Sequence, residues 1–312
     1  ELVVEHPLQP FDPSYFRDDV VQAGRTSTST SYARGAVASL QERRQPAAFA
    51  GAASTTAEPD LQHVSVDAFV RFLQDPARGF LAGLGIRSPR ELPVVLDREP
   101  LVPDPLERYQ IAADLLDRII DGGALDELFA VLSKEGQLPA GVAGRVVFEE
   151  LRPAVEDVAD AIARLQQGEP LPPAPIDVEV GGLRITGWAP RAWKGGLVLR
   201  QYSRIRARHE LGAWIRHLLA QASGVSGPLW LVGRRPTGPR RQVSGFAPVD
   251  DPTPILERLV AVWRRGQQQL VAFEPECAKA LWGYLQKGGL RDFHRSQIER
   301  RFSERCRDDA VW

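Results

Sequence analysis

The chain has 312 residues, of which 43% are hydrophobic and 25% are charged, and its formal net charge is −1. This length is enough for one large domain or two modest ones, and the composition is ordinary for a soluble globular protein. No stretch approaches 18 consecutive apolar residues, so the sequence predicts no membrane-spanning helix and no membrane partner.

The chain begins Glu1-Leu-Val-Val-Glu5, without an initiator Met and without the basic and apolar regions of a signal peptide. We therefore expect an internal fragment of a longer cytoplasmic protein. The two cysteines, Cys277 and Cys306, are too few for a four-thiolate metal site and are expected to be free thiols. The sequence predicts no metal site.

The charges are divided unevenly along the chain. Residues 1–176 carry 16 Lys and Arg against 27 Asp and Glu, a net −11, whereas residues 177–312 carry 23 against 13, a net +10. A division of this size suggests two surfaces with different partners. The alternative is that the acidic and basic parts pair with each other.

The first half of the chain predicts two regions. Residues 1–62 are expected to form an extended, proline-rich segment followed by a flexible loop rich in Ser, Thr, Ala and Gly. Residues 63–170 predict a helical region, in which Asp104-Pro105 is a typical helix start and Pro153 is expected to bend or divide the last helix. The predicted helices cover residues 65–75, 105–121, 125–134 and 141–167.

From residue 171 to residue 312 the pattern changes to an α/β type. Period-two alternation predicts strands at 176–180, 183–188, 196–200 and 228–232, with a turn at Gly181-Gly182. The predicted helices cover residues 207–222, 252–271, 276–287 and 292–305. The order strand, strand, strand, helix, strand is typical of an α/β domain and matches the core of the PD-(D/E)XK nuclease fold.

Several short sequence motifs, in a fixed order, resemble the C-terminal region of the RecC family, the gamma subunits of exodeoxyribonuclease V. The motifs span residues 5 to 225, over two thirds of the chain. They are Glu5-His-Pro-Leu-Gln-Pro-Phe11 with Ser14-Tyr-Phe16, Asp67-Ala-Phe-Val-Arg-Phe-Leu-Gln-Asp-Pro-Ala-Arg78, Asp97-Arg-Glu-Pro-Leu101 with Leu106-Glu-Arg-Tyr109, Leu138-Pro-Ala-Gly141, Ile185-Thr-Gly-Trp188, and Trp214-Ile-Arg-His-Leu218 with Ala222-Ser-Gly224.

The resemblance implies a degenerate PD-(D/E)XK, restriction-endonuclease-like core preceded by a helical region. It implies a part without nuclease activity that contacts forked double-stranded DNA near the point of strand separation and docks RecB-like and RecD-like subunits in a heterotrimer. It also implies that this chain needs no cofactor, because Mg²⁺ and ATP are used by the partner subunits. The sequence itself contains no GxxxxGK[ST] phosphate loop.

A PD-(D/E)XK site needs an acidic residue near the end of one strand and Asp/Glu-x-Lys on the next, because the carboxylates hold Mg²⁺. The corresponding positions here are Pro190, Arg200 and Tyr202. A cation at Arg200 would repel Mg²⁺, so the sequence predicts no catalytic residue. An active nuclease remains the alternative if a carboxylate has moved, and the candidates for that are Asp177, Glu179 and Glu210.

Basic and aromatic residues cluster after the third strand. Cations beside aromatic rings suit phosphate contact and base stacking, although arginines also bind carboxylates, so a pure protein-interaction module is a second alternative. The loop residue Trp193 is expected to be exposed, and His209 and His217 to be ordinary surface or core-edge histidines. The candidates for DNA or partner binding are Arg200, Tyr202, Arg204, Arg206, Arg208, Trp193, Arg234 and Arg235.

Overall fold

The computed structural model describes residues 62–86, 102–235 and 241–286, together with residues 296, 299 and 300. These residues belong to one compact unit, Ser54–Trp312. The extended segment predicted over residues 1–62 lies outside the described residues except for Gln62. Residues 296, 299 and 300 are helical. The other residues of the helix predicted over 292–305 lie outside the described residues.

The described residues form helices and strands in a mixed α/β arrangement, which confirms the predicted α/β class, whereas the PD-(D/E)XK core stays a prediction. Among the described helices, none combines the length and the apolar character that a membrane span requires. In chain order the elements are β1 (His63–Ser65), α1 (Val66–Gln74), α2 (Pro76–Gly83), α3 (Pro105–Ile120), α4 (Leu125–Lys134), α5 (Val142–Leu165), β2 (Pro175–Val180), β3 (Leu183–Trp188), β4 (Ala192–Trp193), β5 (Gly196–Arg200), α6 (Ala207–Ala222), β6 (Leu229–Arg234), β7 (Arg241–Phe246), α7 (Thr253–Gln268) and α8 (Pro275–Gln286).

The strands form two sheets. The first has the order β1-β3-β2, with β1 parallel and β2 antiparallel to β3. The second has the order β4-β5-β6-β7, in which β5 and β6 are parallel and the outer pairs are antiparallel. Helix α6 connects the two parallel strands, because such strands need a crossover connection. The chain passes from the first sheet to the second between Trp188 and Ala192.

Local sequence explains where several elements begin and turn. Asp104 accepts hydrogen bonds from the backbone of Leu106 and Glu107, while the Glu107 carboxylate accepts from the backbone N–H of Asp104, so a capping box starts α3. Gly181 and Gly182 both have positive φ, 55° and 69°, as the two-residue hairpin between β2 and β3 requires. Both the helix start and the turn were predicted from the sequence.

One hydrophobic cluster joins the helices α3, α4 and α5 to one face of the second sheet. It contains Leu115 and Phe148 from the helices together with Val198 and Val232 from β5 and β6. Helix α5 passes through Pro153 as one helix and contacts β5, β6 and β7. The domain boundary predicted near residue 170 stays a prediction, and the apolar contacts of this cluster cross it.

The other face of the second sheet packs on α6, through residues such as Leu197, Leu229 and Ala213. The inner face of the first sheet packs on α1, α6 and α7, with Phe69, Ile185 and Trp263 in the shared cluster. Helix α6 therefore contributes side chains to both clusters.

Four short elements were not predicted. The sequence analysis missed β1, α2, β4 and β7, which are short or lie within segments rich in turn-forming residues. Helix α3 lies where the sequence predicted it, and Tyr109 within it is 41% exposed. The buried residues of that helix are Ile111, Ala112, Leu115 and Leu116.

We expect Phe148→Ala to lower the free energy of unfolding by about 3–5 kcal/mol, because it leaves a cavity in the cluster that joins α5 to the second sheet. Phe148 is 1% exposed and its ring lies 5.4 Å from that of Phe129. The matched control is Val142→Ala in the same helix, at a position 81% exposed, where the change should stay within about 0.5 kcal/mol. Urea unfolding checks both, and equal losses of stability would contradict this account.

Candidate functional site

A row of arginines follows β5 and leads into α6. Arg204, Arg206 and Arg208 are exposed, whereas Ile205 and Ala207 between them are buried. Arg206, directly before the helix, has an extended backbone with φ −108° and ψ 164°, whereas Ala207 and Arg208 are the first two residues of α6. The three guanidinium groups are therefore presented to solvent while the intervening apolar side chains fix the backbone. We call Arg204, Arg206 and Arg208 the arginine row.

Backbone hydrogen bonds hold the start of this segment beside β6. The backbone N–H of Gln201 donates to the carbonyl oxygen of Val232 at 3.0 Å, and that of Arg234 donates to the carbonyl of Ser203 at 2.9 Å. The end of β6, with Arg234 and the exposed Arg235, is thus next to the arginine row. The structure thus places the end of β6 next to residues 201–203, from which the chain continues to the arginine row.

Arg200 does not belong to this solvent-facing group. Its guanidinium pairs with the carboxylate of Asp117 on α3, at 3.1 Å from Nη2 to Oδ1. Arg241, at the start of β7, pairs in the same way with Asp157 of α5 at 2.9 Å. Arg200 and Arg241, from the basic second half, therefore pair with carboxylates of the acidic first half. For these two residues the alternative explanation of the uneven charge applies, in which the acidic and basic parts pair with each other.

Tyr202 was expected beside the arginines as a candidate for base stacking, but the structure places it in the interior. Tyr202 is 3% exposed and belongs to the cluster shared by α3, α5 and the second sheet. Its ring centroid lies 6.4 Å from that of Tyr109, and the guanidinium carbon of Arg234 lies 5.5 Å from it. A ring buried in this way supports Arg234 and does not offer a face to a base.

The expectation that Trp193 is exposed is also wrong. Trp193 is 7% exposed and lies in the same cluster as Tyr202. Its strand, β4, pairs with the start of β5, with Trp193 opposite Gly196, and this pairing places the indole in the cluster that α3 and α5 share with the sheet. The neighbouring Trp188, at the end of β3, is instead 66% exposed.

The sequence analysis missed the role of His209, which ties the arginine row to its helix. Nδ1 of His209 lies 3.1 Å from the backbone nitrogen of Arg206 and 2.8 Å from Nε2 of Gln201. Nε2 of the same ring lies 3.2 Å from Nε of Arg208. The only signal in the sequence for the contact with Arg206 was spacing, because His209 lies three residues after Arg206, the residue directly before α6.

Two effects of this environment keep His209 neutral. Burial lowers the pKa of His209, and the charges of Arg208 and Arg206 lower it further. A hydrogen bond to the backbone of Arg204 and the carboxylate of Glu210 act in the opposite direction, with smaller effect than burial. The neutral ring can accept a hydrogen bond at one nitrogen and donate at the other.

A carboxylate from a distant element caps the first turn of α6. The backbone N–H of Ala207 donates to Oε1 of Glu276, on α8, at 2.7 Å. Glu210 in the same turn accepts from Lys279 of α8 and, at 3.2 Å, from the hydroxyl of Ser244. Helix α8 is thereby attached to α6 by polar contacts directly beside the arginine row.

The carboxylates considered as replacements for a nuclease site are separated or already paired. Asp177 on β2 receives two hydrogen bonds from Arg184, at 2.8 and 2.6 Å, on the exposed face of the first sheet. Glu179 is on the same strand, and Glu210 is on α6. Pro190 lies in the link between the sheets. Across the ranges that the structure describes, no group of three or more His, Cys, Asp and Glu could hold a metal ion.

The comparisons with known proteins identify one family. The model of the family described as RecC C-terminal domain matches residues 61–287. The chain is similar to the RecBCD enzyme subunit RecC of Mycobacterium tuberculosis (strain CDC 1551 / Oshkosh), with 26% identity over 292 residues, which cover 92% of this chain and 26% of the relative.

Two further relatives give the same result. The RecBCD enzyme subunit RecC of Mycolicibacterium smegmatis is 29% identical over 276 residues, covering 86% of this chain and 25% of the relative. The RecBCD enzyme subunit RecC of Escherichia coli (strain K12) is 28% identical over 288 residues, which cover 89% of this chain and 24% of the relative. The chain thus spans about a quarter of the length of the curated relatives that it matches.

We expect the protein to lose stability as the pH falls below about 6.5, the ordinary pKa of histidine. His217 is fully buried, contrary to the sequence expectation, and Nε2 lies 3.3 Å from the carbonyl oxygen of Ala247. Burial lowers the pKa of His217 in the folded chain. The unfolded chain therefore binds a proton first on acidification, which lowers the free energy of unfolding.

His217→Gln keeps a donor for the Ala247 carbonyl but cannot titrate, so it should make the fall in stability between pH about 7.5 and about 5.5 shallower. Urea unfolding at several pH values measures this slope, with the m-value as control for an unchanged extent of unfolding. A variant with the same slope as the unmodified chain would show that His217 does not contribute.

Proposed function

The chain belongs to the RecC C-terminal domain family, and from this premise we propose that it is a non-catalytic DNA-binding and scaffold part of a RecBCD-type helicase–nuclease. In this proposal the assembly processes double-strand DNA ends for recombinational repair. The chain contacts forked DNA near strand separation and docks RecB-like and RecD-like subunits. Mg²⁺ and ATP are used by those subunits, and this chain binds no cofactor.

The observation that carries the DNA-binding role is the arginine row. Its three cations are exposed, two on the segment that leads into α6 and one at the second position of that helix, and the segment begins beside the end of β6 that carries Arg235. Arginines so placed neutralise the phosphates of a nucleic acid strand and release counterions, which makes binding favourable and salt-dependent. The buried residues between them hold the backbone of the row in place before DNA arrives, so little backbone conformational entropy is lost on binding.

The non-catalytic role is supported by the residues at the positions of a nuclease site. The chain order β2, β3, β5, α6, β6 agrees with the order expected of a nuclease-like core, although β2 and β3 lie in the first sheet and β5 and β6 in the second. Where that core carries its metal-binding acids, this chain has Pro190 in the link between β3 and β4 and Arg200 in an ion pair with Asp117. The position of the lysine is taken by the buried Tyr202. These side chains serve packing and pairing within the chain.

We expect removal of the arginine row to weaken DNA binding and its salt dependence. In the variant Arg204→Ala/Arg206→Ala/Arg208→Ala, the slope of log K against log salt for a forked duplex should become shallower by about 2–3, because each phosphate that the row no longer neutralises reduces the slope by roughly 0.9. Fluorescence anisotropy at several salt concentrations measures it.

The matched control removes the same charge from arginines that are already paired: Arg118→Ala/Arg152→Ala/Arg184→Ala. This control should keep the slope of the unmodified chain. If both triple variants change the slope equally, binding follows net charge alone and the arginine row is not the site. If the chain has no DNA affinity at low salt but binds a partner subunit through the row, it is a protein-interaction module.

We expect the chain to leave end-labelled duplex and forked DNA intact in the presence of Mg²⁺ or Mn²⁺. The reason is that a cation at Arg200 opposes metal binding where a nuclease needs carboxylates. Gel analysis of the labelled strands checks this, with an active nuclease in the same buffer as control. Cleavage that is abolished by substitutions beside Arg200 would overturn the non-catalytic assignment.

A further inference from the structure

One stripe of helix α1 lies along α6 and contacts it at both ends. Near the beginning of α1, the carboxylate of Asp67 accepts a hydrogen bond from Nη2 of Arg216 at 2.7 Å. At the end of α1, Nε2 of Gln74 donates to the backbone carbonyl of Arg208 at 2.7 Å. The earlier residue of α1 meets the later residue of α6, and the later residue meets the earlier one, so the two helices run antiparallel.

The absence of a side chain at Gly212 lets α1 approach α6 this closely. A Cβ atom at Gly212 would lie 2.4 Å from Nε2 of Gln74 and 3.2 Å from Cγ1 of Val70. Gly212 is one turn after Arg208 in α6. The end of α1 is therefore packed directly against the first turns of the helix that carries the third arginine of the row.

Arg71 lies on the same stripe of α1, between the two contacts with α6. Asp67, Arg71 and Gln74 are spaced i, i+4 and i+7, and residues at this spacing share one face of a helix. Arg71 precedes Gln74 by three residues, which is about 4.5 Å along the helix axis. The side chain of Arg71 is exposed, whereas the neighbouring Val70 is buried. Arg71 therefore presents a cation to solvent at the edge where α1 meets the first turns of α6.

Arg71 forms no ion pair with any residue that the structure describes. Carboxylates lie four residues before it and four residues after it, which is the spacing of helical ion pairs. The earlier one, Asp67, pairs instead with Arg216. In the later one, Oδ1 of Asp75 accepts from the backbone N–H of Arg78 at 3.0 Å, as the cap of α2. The charge of Arg71 is thus uncompensated within the described residues, as are those of the first two arginines of the row.

We propose that Arg71 binds a DNA phosphate next to those bound by the arginine row, so that the binding surface continues from α6 onto α1. This inference rests on the proposed function and extends its surface to a second helix. Neighbouring cations repel one another, and a polyanion with closely spaced charges, such as DNA, offsets several of them at once. The hydrogen bond from Gln74 to Arg208 fixes the two helices relative to each other before DNA binds.

Arg71 also lies in the last turn of α1, which gives an alternative reason for a cation at this position. A positive charge near the carboxyl-terminal end of a helix is stabilised by the helix dipole. That role is internal to the chain, and it does not change the number of counterions that DNA releases on binding. The salt dependence of DNA binding therefore separates the two roles.

The test is the binding of a forked duplex by the full chain with Arg71→Gln, followed by fluorescence anisotropy at several salt concentrations. The slope of log K against log salt should become shallower by about 0.9, and the affinity at about 0.1 M salt should fall about eightfold, as expected for the loss of one phosphate contact. Arg71→Lys keeps the charge and should retain the slope.

The matched control is Arg184→Gln, which removes an exposed arginine that pairs with Asp177 on β2. Arg184 lies on the outer face of the first sheet, whereas α1 and α6 pack on the inner face. This control should leave both the slope and the affinity of the unmodified chain unchanged. Equal reductions from Arg71→Gln and Arg184→Gln would show that binding follows net charge alone, and the inference would be overturned.

The other outcomes distinguish this inference from the proposed function. If the arginine-row variant has a shallower slope but Arg71→Gln does not, the DNA-binding function stands and the role of Arg71 is wrong. That result together with a lower free energy of unfolding in urea would assign Arg71 to the helix dipole. If neither variant changes the slope, the proposed surface is wrong as well. If Arg71→Gln loses binding of a poly-glutamate peptide and keeps that of DNA, the occupant is a protein carboxylate and the inference is overturned.

Discussion

The packing of α5 on the second sheet is the constraint on which the other contacts depend. Phe148 and Ile162 of this helix are buried in the cluster that α3 and the sheet share. Burial of this apolar surface brings Asp117 of α3 to Arg200 and Asp157 of α5 to Arg241. These ion pairs form at the edges of the buried cluster. They follow from the packing, because partly exposed pairs contribute little stability by themselves.

The arginine row is placed in an unfavourable electrostatic position in the absence of an anion. Cations near the amino-terminal end of a helix are opposed by the helix dipole, which favours negative charge there. Glu276 from α8 supplies one carboxylate to the first turn of α6. Among the described residues, no carboxylate pairs with Arg204 or Arg206. A phosphate strand bound along the row would compensate the remaining positive charge, which is the physical reason to regard this surface as a binding site.

The charge division between the two halves has a mixed explanation. Arg200 and Arg241 pair with the acidic helices, so part of the division is internal. Arg204, Arg206 and Arg208 face solvent, so part of it is available for a partner. Neighbouring arginines on one stretch of chain differ in this way because Arg200 is still within β5 and reaches α3. The chain leaves the sheet before Arg204.

Local signals in the sequence determined most of the secondary structure, the α/β class and the family. The cap at Asp104, the glycine pair 181–182 and the apolar periodicity of 207–222 each act within a few residues, so they can be recognised without the fold. Only the tertiary structure decided which arginines are exposed, that Tyr202 and Trp193 are buried, and that His209 receives donors from both sides. Exposure and pairing depend on residues far away in the chain, such as Asp117 and Glu276, and no local pattern specifies those distances.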